Sequence, residues 1–181
     1  MLLKWGRVGS EGPGTDRPAE KRETTMREPT PHSALRQLDA LVGEWDMWAL
    51  GHDVGPVRVE FAWLEGGAFL VQRADVGPET SLPAEWGAHA PFPTVTLTGY
   101  DETSGDFTTL YADGRGVARV YRTTVHDGVW KQWRTAPGFH QRFTATFREG
   151  GDTIQGGWER SGDGELWMPD FDVTYTRVGT S

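Results

Sequence analysis

The chain contains no cysteine. Disulfide staples, thiolate metal sites and cysteine nucleophiles are therefore excluded. Positive charge is scarce: 18 Lys and Arg stand against 26 Asp and Glu, a net charge of −8. A nucleic-acid groove or an anionic membrane surface needs a basic patch, so neither is expected as a partner. No apolar run approaches the roughly 18 residues of a membrane helix. The opening MLLKWGRVGSEGPG offers only Leu2 and Leu3 as an apolar run. That is too little for the core of a signal peptide, and a cytoplasmic protein is expected. The histidines are His32, His52, His89, His126 and His140. None forms an H-x-H or HExxH pair, so no metal is expected. There is no GxSxG elbow, and DGRG (113–116) and SGDG (161–164) read as hairpin turns rather than phosphate cradles.

What the chain does have is nine tryptophans and 24 glycines in 181 residues. The length suits one domain with a real core. Residues 1–30 mix Gly, Pro, Glu, Arg and Thr without period and read as a disordered tail, leaving 31–181 as a single domain. Met26 lies just before the organised part and is a candidate start. Thr30 can cap a helix and Pro31 suits its first position. Leu35, Leu38, Leu41 and Val42 recur at helical spacing before Gly43, which predicts a short amphipathic helix over 31–42. So short a helix must pack on something.

From Gly43 the period becomes two. In VRVEFAW (57–63), Val57, Val59, Phe61 and Trp63 share a face. TVTLTGY (94–100) sets Val95 and Leu97 against threonines. Further runs follow to WMPDFDVTYTRV (167–178), about ten strands in all, joined by short Gly and Asp turns such as HDG (126–128). Tight turns pair sequence neighbours antiparallel, and closure removes the exposed edges. The expectation is an all-β, up-and-down antiparallel barrel with the 31–42 helix plugging one end; a two-sheet sandwich is the alternative. One connector differs. GPETSLPAEWGAHAPFP (77–93) is long, has four prolines and carries Trp86, His89 and Phe92. It reads either as a flap over the barrel mouth or as a surface excursion with Trp86 packed on the outer wall.

Gly43-Glu44-Trp45 at the first strand resembles the G-x-W signature of calycins, the lipocalin-like barrels. The series FAWLEGGAFLVQR, GYDETSGDFTTLYADGRGVARVY, GVWKQWR, GFHQRFTATF, GGWERSGDGELW and DFDVTYTR resembles a bacterial family of small calycin-like barrels of unknown function, over about 35–178. The resemblance implies that Gly43, Trp45 and Arg177 are structural, with Arg177 of the last strand stacked on Trp45. It implies no activity. There is a more distant architectural similarity to nitrobindin, which holds haem through a late histidine. The last histidine here is His140, so no cofactor is expected, and only His140 or a loop histidine such as His89 could take that part.

Polar groups among the aromatics of the later strands are the candidate ligand-binding residues: Arg119, Tyr121, Trp133, Arg134, His140, Arg142, Trp158 and Asp172. Arginines offer forked donors to an anion, and carboxylates can neutralise them or serve as acid and base. Strand parity groups these residues without saying which face is inside. They line a lumen or form cross-strand ion pairs on the outer wall. The leading expectation is a carrier or sensor barrel for a small hydrophobic or amphipathic molecule. The alternatives are a small isomerase or lyase using Tyr121, Arg134, His140, Arg142 and Asp172, and a structural or homodimeric module.

Overall fold

A computed structural model describes residues 30–179 apart from Glu79, Ser81 and Ala88, and leaves aside the side chains of His52, Glu65 and Glu85. The expected tail, and Met26 as a start, lie outside the described residues. Ten antiparallel strands form a closed up-and-down barrel in which every strand pairs with its sequence neighbour. They are β1 (Gly43–Ala49), β2 (Val54–Leu64), β3 (Phe69–Val76), β4 (Thr94–Asp101), β5 (Asp106–Asp113), β6 (Ala118–His126), β7 (Val129–Arg134), β8 (His140–Phe147), β9 (Thr153–Ser161) and β10 (Met168–Arg177). β1 closes the ring by pairing with both β2 and β10. Closure excludes the sandwich. The turn chemistry is local: Asp127 and Gly128 both have positive φ (51° and 72°) and join the His126–Val129 pair in a two-residue hairpin.

The N-terminal helix is shorter and tighter than expected. It is a 3-10 helix, Ser33–Leu41, capped by His32 rather than Thr30. The His32 Nδ1 accepts from the Ala34 N–H at 3.2 Å, and its ring stacks on Tyr100. The spacing explains the difference. Leu35, Leu38 and Leu41 are buried at intervals of three, which a three-residue turn aligns in one row and a 3.6-residue turn does not.

That leucine row closes one end of the barrel, in a core shared with Trp45, Val59, Phe61, Leu70 and Ile154. Trp45 is fully buried. Its indole N–H donates to the Leu41 carbonyl at 2.8 Å, and the Arg177 Cζ lies 4.0 Å from its ring centroid. Arg177 also donates to the carbonyls of Val42 (2.7 Å) and Ala40 (3.0 Å), joining the helix end to the last strand. Gly43 has φ +128°, and a Cβ there would stand 2.6 Å from the Arg177 Nη1. Trp48 has the opposite parity and lies over Gly55, whose added Cβ would meet the indole at 3.0 Å.

The two sides of the barrel differ in what they turn inward. β2 presents Val57, Val59 and Phe61. β4 presents Thr94, Thr96 and Thr98, while Val95 faces out at 45% exposure. Thr98 belongs to a chain of inward hydroxyls, and Thr96 donates to the Gln72 Oε1 at 3.4 Å. Thr98 and Thr109 approach to 2.8 Å, Thr109 and Thr123 to 2.7 Å, and the Gln132 amide donates to Thr123 at 3.3 Å. A connected chain of this kind removes the desolvation penalty that would forbid a polar lumen.

Candidate functional site

Above the leucine plug the lumen opens into a cavity of about 380 Å³. This lies within the range of small-molecule sites. Its walls carry an aromatic series reaching from the rim inward. Tyr121 meets Trp158 at 5.6 Å between centroids, Trp158 meets Phe143 at 5.0 Å, and Phe143 meets Trp130 at 5.0 Å. Tyr175 adjoins Trp130 at 6.0 Å. Among the described residues the Trp130 indole N–H has no acceptor. The Tyr175 hydroxyl has no hydrogen bond either, and burial pushes its phenol up from the ordinary value. An enclosed donor such as the Trp130 N–H is costly to leave without a partner.

Arg119 lies toward the open end, with its guanidinium between two rings, 4.9 Å from the centroid of Phe139 and 5.8 Å from that of Tyr111. Its Nη1 donates to the Gln141 Oε1 at 2.9 Å, and the Tyr121 hydroxyl donates to the same oxygen at 2.7 Å. The neighbouring cation is neutralised: Arg115 Nη2 meets Asp113 Oδ2 at 2.6 Å. That pair holds the Asp113 carboxyl well below the usual range. Tyr111 donates to the same carboxylate at 2.9 Å, and burial first, then this bond, raises its phenol.

The 77–93 connector packs against this opening. It contains one helical turn, α1 (Ala84–Gly87), and Trp86, His89 and Phe92 all line the cavity. Trp86 sits edge-on to Phe171 at 5.6 Å. Arg115 Nη1 donates to the His89 carbonyl at 3.0 Å, and the Gly114 N–H to the Pro91 carbonyl at 3.0 Å. Gly114 is required by this approach, since a Cβ there would stand 2.6 Å from the Phe92 oxygen.

Of the wall residues singled out from sequence, Arg119, Tyr121 and Trp158 line the cavity, whereas Trp133, Arg134, His140, Arg142 and Asp172 do not. Trp133 packs under Arg122, with the guanidinium 5.5 Å from its ring. Arg142 pairs with Glu159 at 2.6 Å and covers Trp167 at 4.3 Å. His140 lies against Gly164, where an added Cβ would meet its ring at 3.3 Å. Asp172 is exposed, between the inward Phe171 and Val173. Arg142 and Asp172 thus both occupy the outer wall and do not meet across the lumen. Asp170 departs from simple parity: a register shift between Pro169 and Phe171 brings it into the cavity lining, where Arg160 pairs with it at 3.5 Å.

Sequence reasoning missed Trp130, Gln132, Gln141 and Tyr175. The signal was present in VWKQWR and FHQRF, whose alternation separates Trp130 and Gln132 from Trp133, and Gln141 and Phe143 from Arg142. What it lacked was the choice of inner face. Among the described residues no group of three His, Asp or Glu side chains could hold a metal ion, and no helix is long and apolar enough to cross a membrane. The closed ten-strand architecture is compatible with a calycin-like fold. No family model matches the chain, and no curated protein matches it.

Proposed function

We propose that this protein is a small-molecule-binding barrel, a cytoplasmic carrier or sensor that encloses a ligand between its aromatic walls and the 77–93 flap. The observation that supports this most strongly is the cavity of about 380 Å³, which combines ring faces with an indole donor, Trp130 Nε1, that has no partner among the described residues. A barrel needing only a core would fill that volume with side chains. Native mass spectrometry of protein purified from its own host, together with titration by the neutral apolar dye Nile red, tests the reading. The expected result is a non-covalent adduct, or dye binding that W158A abolishes. A barrel that carries no adduct and takes up no dye overturns it.

A second reading is supported by the outer wall. Leu97, Leu110 and Val120 form one cross-strand row over β4, β5 and β6, and Leu110 and Val120 are 50% and 57% exposed. Two copies meeting on this face would form a homodimer. A light-scattering mass that stays monomeric at all concentrations removes this reading.

A further inference from the structure

We infer that the cavity selects a flat aromatic monoanion, a carboxylate whose ring packs against Trp158 and Phe171 and whose charge is held by Arg119. This rests on the binding-barrel reading and gives its ligand a chemical class.

The charge balance of the lining carries the inference. Among the described residues, three ionised side chains border the cavity besides its tyrosines and His89: Arg115, Arg119 and Asp170. Arg115 is neutralised by Asp113, and Asp170 by Arg160. Arg119 has no carboxylate within ion-pair distance among the described residues. One cation is left without a carboxylate at the half-open mouth of the cavity, and an anion of single charge balances it.

The guanidinium is also aimed. Its Nη1 is spent on Gln141 and, more loosely at 3.5 Å, on the Tyr121 hydroxyl. Among the described residues its Nε and Nη2 hydrogens make no hydrogen bond, so one edge of the fork is open. That edge has the geometry a carboxylate takes in two parallel bonds. Flanking rings of Phe139 and Tyr111 hold the plane of the fork, so little ordering is left for the ligand to impose.

The shape of the remaining volume favours a ring over an alkyl chain. Trp158 stacks at a tilt on Phe143 (5.0 Å, 31°) and lies at a similar tilt to Phe171 (6.5 Å, 32°), and all three rings border the cavity. A planar ligand gains offset stacking there that a flexible chain does not, and loses less rotamer freedom on entry. At the inner end the Trp130 indole N–H, without an acceptor among the described residues, can donate to a polar substituent. The remaining neutral lining groups, Gln72, Thr94 and Thr96, add no charge.

The test uses the full chain and three probes: naphthoate, its neutral isostere naphthamide, and decanoate, each displacing Nile red. Wild type is expected to bind naphthoate roughly tenfold or more tightly than naphthamide, and more tightly than decanoate. R119M is expected to reduce the naphthoate preference to about twofold or less while retaining naphthamide. R119K, which keeps the charge without the fork, should fall between them and covers the case in which R119M does not fold. R142M, on the outer wall, should leave both affinities unchanged. Equal binding of naphthoate and naphthamide by wild type overturns the assigned class, as does a preference for decanoate. Nile red binding without either naphthyl probe overturns this inference and leaves the binding barrel standing. Failure of every probe, Nile red included, overturns the binding barrel itself.

Discussion

Replacing Arg177 by alanine tests what joins the two ends of the chain. The side chain makes three kinds of contact, and their sizes differ. The stack on Trp45 is desolvated on the indole side, since Trp45 is fully buried, and contributes about 0.5–2 kcal/mol. The bond to the half-buried Val42 carbonyl is charge-assisted and contributes about 1.5–3 kcal/mol. Water can replace the exposed bond to Ala40, and the ion pair with Asp152, whose side chain is 75% exposed, contributes close to nothing. R177A should therefore lose about 3 kcal/mol, read as a lower urea midpoint at unchanged m-value. Gly43 supplies the sharper test. G43A should be costly alone, both through its φ of +128° (about 1–3 kcal/mol) and because its Cβ would displace the guanidinium from 2.6 Å. Once Arg177 is absent, only the backbone part remains. The double variant should then be more stable than the sum of the single losses implies, by about 1 kcal/mol or more. A loss below about 1 kcal/mol for R177A would refute the assigned role of the stack. Additivity within about 0.5 kcal/mol would refute the steric coupling to Gly43.

Three further outcomes follow from the same contacts. T109V, which breaks the centre of the Thr98–Thr109–Thr123 chain, should cost about 1–2 kcal/mol in urea melts; converting Thr98 and Thr109 together should cost less than twice that, because fewer hydroxyls are stranded. Tyr111 and Tyr175 both have folded pKa values raised above the ordinary 10.0. Their contribution is fully present below pH 10 and is lost as pH rises past it, because the unfolded phenols ionise first. Y175F should therefore flatten the alkaline fall in thermal midpoint, and an unchanged slope contradicts the assignment. L110K with V120K, on the exposed outer row, should change stability by no more than about 0.5 kcal/mol per site, and calorimetric loss well beyond that would mean the face is covered.

The barrel was legible in the sequence because its signals are local. Alternation in VRVEFAW, the Asp127–Gly128 turn and the connectors around it specify strands and antiparallel neighbours without reference to anything distant. Gly43, Trp45 and Arg177 were legible through the resemblance of Gly43-Glu44-Trp45 to the calycin signature, which implies a stacked Arg on the last strand. The helix was legible as an element, but its tighter winding depended on the leucine row meeting the barrel's end. The site was much less so. A period of two says that Trp130 and Gln132 share a face, and equally that Lys131 and Trp133 do. Alternation in TVTLTGY separates Val95 and Leu97 from the threonines without saying which set is inside; the structure turns Thr94, Thr96 and Thr98 inward, where Thr109 meets Thr98 at 2.8 Å and Gln72 accepts from Thr96 at 3.4 Å. The register shift at Pro169–Phe171 moved Asp170 into the lumen against simple parity. Which arginine of the cavity lining lacks a carboxylate among the described residues is a property of cross-strand distances, and no count of charges along the chain contains it. The sequence alone determined the strands, the turns and the plug; tertiary closure decided which face became the wall of the cavity and left Arg119 as its uncompensated charge.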